Sequence, residues 1–332
     1  METTIALAGN PNSGKTCLFN ELTGARQHVG NYPGVTVEKK EGKYSRDGHT
    51  IHIVDLQGTY SLTAYSVEEV VARDFLVNER PGVVIDIVDA SNLERNLYLT
   101  VQFLEMGIPL AIALNMGDVA QKRGIDIDTK KLSTLLGVPV IPTIARNGKG
   151  KDDLMKAATR IVEEDTPRVP LIVSYGDDID SALLEMGETI TTNAFLTERY
   201  PARWIALKYL ERDEQILSKG REQDPAVSAR LEEITARVSE HLRKTLNTYP
   251  EVIIADHRFG YINALVKQGV IKIRDNQERL YASDKIDKIV TNRFLGPIIM
   301  VGVLMGLYHF TFNYSEIQIG RASCRERVFR TV

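Results

Sequence analysis

Gly9-Asn10-Pro11-Asn12-Ser13-Gly14-Lys15-Thr16 follows the apolar run Ile5-Ala6-Leu7-Ala8 and leads into Cys17-Leu18-Phe19. This is the pattern G-x-x-x-x-G-K-[ST], placed between a strand-length apolar run and a helical start, the arrangement a phosphate cradle requires. The glycines let backbone N–H groups converge on phosphate oxygens. Lys15 neutralises β and γ charge, and the Thr16 hydroxyl can ligate magnesium. Asn10, Pro11, Asn12, Ser13 and Cys17 complete the stretch assigned to the nucleotide. For the Cys17 side chain itself, packing beneath the loop is expected.

Outward from this loop, apolar runs alternate with helix-period segments up to about Val162, which predicts an α/β fold with a doubly wound, mostly parallel sheet. The expected strands are 5–8, 37–44, 51–54, 83–88, 110–114 and 138–142. Asp47-Gly48 reads as a hairpin turn, so the second and third strands should run antiparallel. Ser66 with Glu69 reads as a capping box that opens a helix ending near Pro81-Gly82.

The chain has 332 residues, 43% hydrophobic and 26% charged, with a formal net charge of -3. That composition is globular and offers no global attraction to nucleic acid or anionic lipid. Cys17 and Cys324 form neither a disulfide framework nor a zinc site, which fits a reducing, cytosol-facing compartment. Six histidines share no ligand spacing, so no transition-metal site is expected. The start of the chain lacks the basic and apolar pattern of a secretory signal.

A phosphate loop alone separates neither ATP from GTP nor a kinase from a switch. Asp55-Leu56-Gln57-Gly58 ends an expected strand, where Asp55 can reach magnesium and the Gly58 N–H can meet a γ-phosphate. Asn115-Met116-Gly117-Asp118 ends another. The Asp118 carboxylate can accept from guanine N1–H and the exocyclic amine, donors that adenine lacks on that edge. The order and intervals of these motifs predict a P-loop GTPase using magnesium and GTP/GDP. Ala25 to Val37 is polar and glycine-bearing, and holds Gly30-Asn-Tyr-Pro-Gly-Val-Thr36. We read it as a first switch in which Gly34, Val35 and Thr36 close over the nucleotide, Thr36 completing the magnesium shell with Thr16 and Asp55. Lys15, Thr36 and Gly58 are the expected catalytic residues.

Pro-bearing residues 166–170 break the βα pattern, and from Gly176 to about Gly269 apolar residues recur at helical spacing (Leu183, Met186, Ile190; Leu231, Ile234, Val238, Leu242). A second, all-α domain is expected here. Residues 294–312 carry no formal charge and are long enough to cross a bilayer. Lys285, Lys288 and Arg293 precede them, which puts the N-terminal side in the cytosol. A buried core helix is the alternative. The arginine-rich residues 320–332 read as a non-native or truncated tail, or else as a polybasic loop. The expected organisation is therefore a GTPase domain over 1–165, a helical domain over 170–275, a juxtamembrane segment over 276–293 and one transmembrane helix over 294–312.

These features resemble the FeoB family of ferrous iron transport proteins. The similarity rests on 9–16, on Asn31-Tyr-Pro-Gly-Val-Thr-Val-Glu38, on Asp55-Leu-Gln-Gly-Thr-Tyr-Ser-Leu62, on Pro201-Ala-Arg-Trp-Ile-Ala-Leu-Lys208 around the single tryptophan, and on Ser283-Asp-Lys-Ile-Asp-Lys-Ile289. It implies a cytosolic G domain, a helical domain that stabilises bound GDP, and a membrane domain that conducts ferrous iron. It places the protein in the cell inner (plasma) membrane with both soluble domains on the cytoplasmic side, and allows a homo-oligomer without nucleic-acid partners. It also implies a guanine-contacting loop at Thr143, Ile144 and Ala145, and a potassium ion held near Asn12 as activator. Departures from the family wording fall at Gln57, where proline is usual, at Ile144, where serine is usual, and around Asp256-His257-Arg258-Phe259. The position that holds a water-orienting glutamine in many GTPases is Thr59 here, so slow intrinsic hydrolysis is expected. Two alternatives stay open: a soluble GTPase of the ribosome-assembly type, and a P-loop kinase or ATPase.

Overall fold

The computed structural model describes residues 3–24, 27–32, 35–46, 49–63, 66–164, 166, 168–273, 289–293 and 295–328. Gly34, the Asp47-Gly48 turn, Asp165, Pro167 and the stretch 274–288 with Lys285 and Lys288 lie outside the described residues.

Strands β1 (Thr3–Gly9), β2 (Gln27–Asn31), β3 (Glu38–Arg46), β4 (His49–Asp55), β5 (Val83–Asp89), β6 (Leu110–Asn115) and β8 (Val140–Pro142) form one sheet in the order β2-β3-β4-β1-β5-β6-β8. From β4 to β8 every pairing is parallel, whereas β2, β3 and β4 pair antiparallel. The central strands are apolar along their length because both faces are covered. On β1, Ile5 and Leu7 pack on one face with Leu18 and Phe19 of α1 (Lys15–Thr23) and Leu154 of α6 (Lys151–Glu164). Ala6 and Ala8 face the other way, into a cluster with Phe75 of α2 (Val67–Asn78) and Leu97 of α3 (Leu93–Glu105). This is the period-two alternation of a strand buried on both sides. The Ser66 cap follows its sequence signal, Oγ accepting from the Glu69 N–H at the start of α2, and Asp128 accepts from the Lys131 N–H at the start of α5 (Thr129–Leu136).

Three strands escaped the sequence reading. β2 lies inside the segment read as an irregular switch, where polar Gln27 and His28 gave no alternation to find. A second sheet joins β7 (Ile125–Ile127), which follows α4 (Gly117–Lys122), to β9 (Ile271–Ile273) in antiparallel register, Ile127 opposite Ile271. Three-residue strands are too short for periodicity to show.

The helical part comprises α7 (Asp177–Thr192), α8 (Ala202–Leu210), α9 (Glu214–Gln223), α10 (Pro225–Leu246) and α11 (Pro250–Lys267). Its core of Trp204, Ile205, Leu231 and Ile262 is continuous with the α2/α3 face of the sheet, and residues 1–274 form one compact unit. Buried ion pairs cross between the two parts. Arg73 of α2 pairs with Asp213 at 2.5 Å, and Arg258 of α11 donates from Nε to Glu105 of α3 at 2.9 Å while its other arm donates within the helical part to Glu211 at 2.5 Å. Burial pushes the Glu211 carboxyl up, but Arg258 and Lys208 outweigh it and hold it down at about 2. The 256–259 stretch thus has a structural explanation: Arg258 is buried between two carboxylates, and Phe259 stacks on Tyr98 with ring centroids 4.7 Å apart.

Residues 275–332 form the other unit, with α12 (Leu295–Val328) as its described helix. The stretch Leu295–Phe312 is long and apolar enough to cross a membrane, and none of it is buried within the protein. The buried-core alternative therefore finds no support.

Candidate nucleotide site

The motif residues meet at the C-terminal edge of the parallel strands, beside β1, where the chain order reverses from β4 to β5. Such a crevice is where open α/β sheets accept ligands. Gly9 ends β1, Asp55 ends β4 and Asn115 ends β6. The loop from Gly9 turns back through a Ser13 N–H to Asn10 carbonyl bond of 3.2 Å. Asn12 (φ 66°) and Gly14 (φ 93°) take left-handed backbone. At Gly14 a Cβ would lie 2.2 Å from Asn115 Nδ2, so a side chain there would have to displace the Asn115 amide on a backbone conformation that favours glycine. At Gly58 a Cβ would lie 3.2 Å from the Pro11 backbone, so the second motif closes directly over the loop.

Asn115 ties two loops together. Its Nδ2 donates to the Ser13 carbonyl at 2.8 Å, and its Oδ1 accepts from the Ala145 N–H at 2.9 Å. The 143–145 segment is anchored again by the Thr143 N–H on the Leu114 carbonyl at 2.8 Å. Asp118, in the first turn of α4, stands half-buried, 3.6 Å from the exposed Arg146 guanidinium. Lys15 Nζ lies 2.5 Å from Asp55 Oδ1. Burial raises the Asp55 carboxyl above its ordinary range, and Lys15 opposes that shift.

Whether these residues suit a nucleotide and magnesium is tested by their unmet polar groups. Asn10 Oδ1, Ser13 Oγ and Thr143 Oγ1 are buried without a hydrogen-bond partner among the described residues. All three belong to the segments assigned to the ligand, and buried orphans of this kind are costly unless something meets them. Asp55 and the exposed Thr16 hydroxyl offer hard oxygen donors of the kind magnesium takes. The residues fit both groups.

Thr36 is exposed, beside an open hollow lined by Asn31, Tyr32, Val35 and Val67. Gln57 donates its amide to the Glu38 carbonyl at 3.1 Å, an engagement with β3 rather than with the phosphate loop. Cys17 corrects the expectation: it is exposed, because α1 buries Leu18, Phe19 and Leu22 and turns Cys17 outward. The sequence reading missed Arg73, which is fully buried in α2. An arginine among Val71, Ala72, Phe75 and Leu76 was the available signal.

Two family models match: one described as "Ferrous iron transport protein B" over residues 3–158, and one described as "FeoB cytosolic helical domain" over residues 175–271. A fusion protein of Fe(2+) transport protein A and the Fe(2+) transporter FeoB from Porphyromonas gingivalis is 42% identical over 314 residues, covering 93% of this chain and 36% of that one. Among solved structures, the apo cytosolic domain of the T. maritima FeoB iron transporter aligns with TM-score 0.70 and 34% identity, covering 82% of this chain and 100% of that chain. A single-site mutant of S. thermophilus NFeoB bound to GDP aligns with TM-score 0.70 and 38% identity, covering 80% of this chain and 98% of that chain. The chain carries a P-loop GTPase fold followed by a helical domain. It belongs to the FeoB family. It spans 36–38% of the length of the curated relatives it matches.

Proposed function

We propose that this chain is the GTP-binding and GTP-hydrolysing regulatory portion of a ferrous iron transporter, anchored in the inner membrane by the apolar stretch of α12 with the G and helical domains on the cytoplasmic side. The observation that carries the reading is the Asn115 bridge, which joins the phosphate loop to the 143–145 segment in the same structural unit as Asp118. Guanine is read by Asp118, with Met116, Ile144 and the Ala145 N–H around the ring. The loop amides and Lys15 take the phosphates. On binding, Lys15 exchanges part of its pairing with Asp55 for phosphate oxygens. Thr16 and Asp55, with Thr36 after closure, would hold magnesium, which supplies neutralisation of the β and γ charge. Gly58 offers its N–H to the γ-phosphate.

Neither Thr59, which is buried, nor Gln57, which is held on Glu38, is placed to orient water. Hydrolysis is accordingly slow, and a potassium ion at Asn12 would supply the stabilising charge. Ferrous iron passes through membrane-domain elements that the resemblance implies beyond this helix. Titration with labelled GTP and GDP in magnesium, with ATP as competitor, tests the base assignment; displacement of GTP by ATP at equal concentration would refute it. Equal turnover in matched potassium and sodium buffers would remove the cation. Release of the chain from membranes by salt alone would favour the soluble class.

A further inference from the structure

Both backbone polar groups of one residue beyond Gly58, Leu62, are taken by buried side chains from two different helices. The Leu62 N–H donates to Gln102 Oε1 of α3 at 2.6 Å. The Leu62 carbonyl accepts from Arg73 of α2 at 3.5 Å, the weakest contact of the set. The same guanidinium donates to Asp213 Oδ2 at 2.5 Å and to Gln215 Oε1 at 2.6 Å. Arg73 is 0% exposed, Gln102 1% and Asp213 6%. An arginine this deep is tolerated only with a counter-charge, since removing one partner of a buried pair leaves the other uncompensated. That counter-charge comes from the helical bundle, where Asp213 also caps α9 by accepting from the Ile216 N–H at 3.2 Å. Arg73 Nε and Gln102 Nε2 have no acceptor among the described residues. Both donors sit on side chains that bind the Leu62 backbone, and buried donors left unmet are costly.

We propose that Arg73 is a positioning residue for GTP hydrolysis: gripped by Asp213, it fixes the Leu62 peptide jointly with Gln102 and thereby sets the path of the segment that starts at Gly58. The inference rests on the hydrolytic function proposed above. The helical bundle then acts on the rate of the chemical step through one carboxylate, separately from any effect on how tightly nucleotide is held.

The test is single-turnover hydrolysis at saturating GTP, with affinity measured separately by fluorescent GTP titration and Tm recorded for each variant. Asp213→Asn keeps a capping acceptor for α9 and removes the counter-charge. It should change the single-turnover rate by at least about fivefold while affinity stays within about twofold. Gln102→Leu should act in the same direction, and the double variant should add little beyond either single change, because both work through the backbone of one residue. Lys219→Ala removes the neighbouring α2–α9 contact with Asp74 (2.9 Å), which does not touch Leu62, and should leave the rate unchanged. If Lys219→Ala slows hydrolysis as much as Asp213→Asn, or if Asp213→Asn and Gln102→Leu both lower Tm without moving the rate, the inference is overturned. Failure of the unsubstituted chain to bind labelled GTP would instead remove the proposed function itself.

Discussion

Asn115→Ala separates the architecture of the site from recognition of the base. The substitution deletes two buried bonds at once, leaving the Ser13 carbonyl and the Ala145 N–H without their partner. Each orphaned buried group costs about 1–3 kcal/mol, so the pair amounts to about 2–6 kcal/mol. Where the loops hold their places, the cost falls on folding, and at about 2–4 °C per kcal/mol for a domain of this size Tm drops by at least about 4 °C. Where they separate, nucleotide must reassemble them, and affinity weakens about tenfold for each 1.4 kcal/mol so transferred. Asp118→Ala is the contrast: its partner in the protein is the exposed Arg146 at 3.6 Å, a contact worth little to stability. It should weaken guanosine nucleotide binding with Tm within about 1 °C of the parent. Thermal melts without nucleotide, paired with fluorescent GDP titrations, read both quantities. Unchanged Tm and unchanged affinity in Asn115→Ala would refute the reasoning, as would a larger Tm loss in Asp118→Ala.

Other expectations are independent of that one. Asp86 is buried in β5 with Thr100 donating to it, and burial raises its carboxyl from 3.8 to about 7. Between those values the folded state keeps a proton that the unfolded chain has released, so stability falls as pH rises through the window, by on the order of 4 kcal/mol. Asp86→Asn should flatten the slope and raise Tm at pH 8, measured by melts at pH 5 and pH 8; parallel slopes would contradict it. Asp118→Asn should shift preference from guanosine toward xanthosine nucleotides, because an amide donor complements the xanthine 2-oxo group, and competition binding would show an unshifted preference if the assignment is wrong. Thr36→Ala should spare GDP while weakening magnesium-dependent GTP binding, and an equal loss of both would mean that the loop has misfolded.

The sheet was legible because its central strands are buried on both faces and read as uninterrupted apolar runs, and because the phosphate loop fixed where the first strand ends. The helical part announced itself through spacing on α7 and α10. What escaped has a physical pattern. β2, β7 and β9 are short or polar, so they are specified by pairing partners distant in sequence rather than by their own periodicity. The buried charges Arg73, Arg258, Glu105 and Glu211 are legible only as oddities, since, apart from Lys208 beside Glu211, their charged partners lie about 50 to 150 positions away and a single sequence does not say which carboxylate meets which arginine. Cys17 was misplaced because a nine-residue helix shows only two turns, and its neighbours Leu18 and Phe19 masked which side faced inward.

The small β7–β9 sheet has a mechanical consequence. The chain that leaves Ile273 runs on in sequence toward the apolar helix, and Ile271 to Ile273 is stitched by three backbone pairs to Ile125 to Ile127. A further bond from the Asp128 N–H to the Val270 carbonyl, 2.8 Å, closes the seam. Ile125 follows Asp118 by a single short helix. Because Ile273 stands opposite Ile125, a load on the exit end of β9 meets first the end of β7 that follows α4 and Asp118, and opens the seam one pair at a time, along a route that bypasses the bundle of α7 to α10.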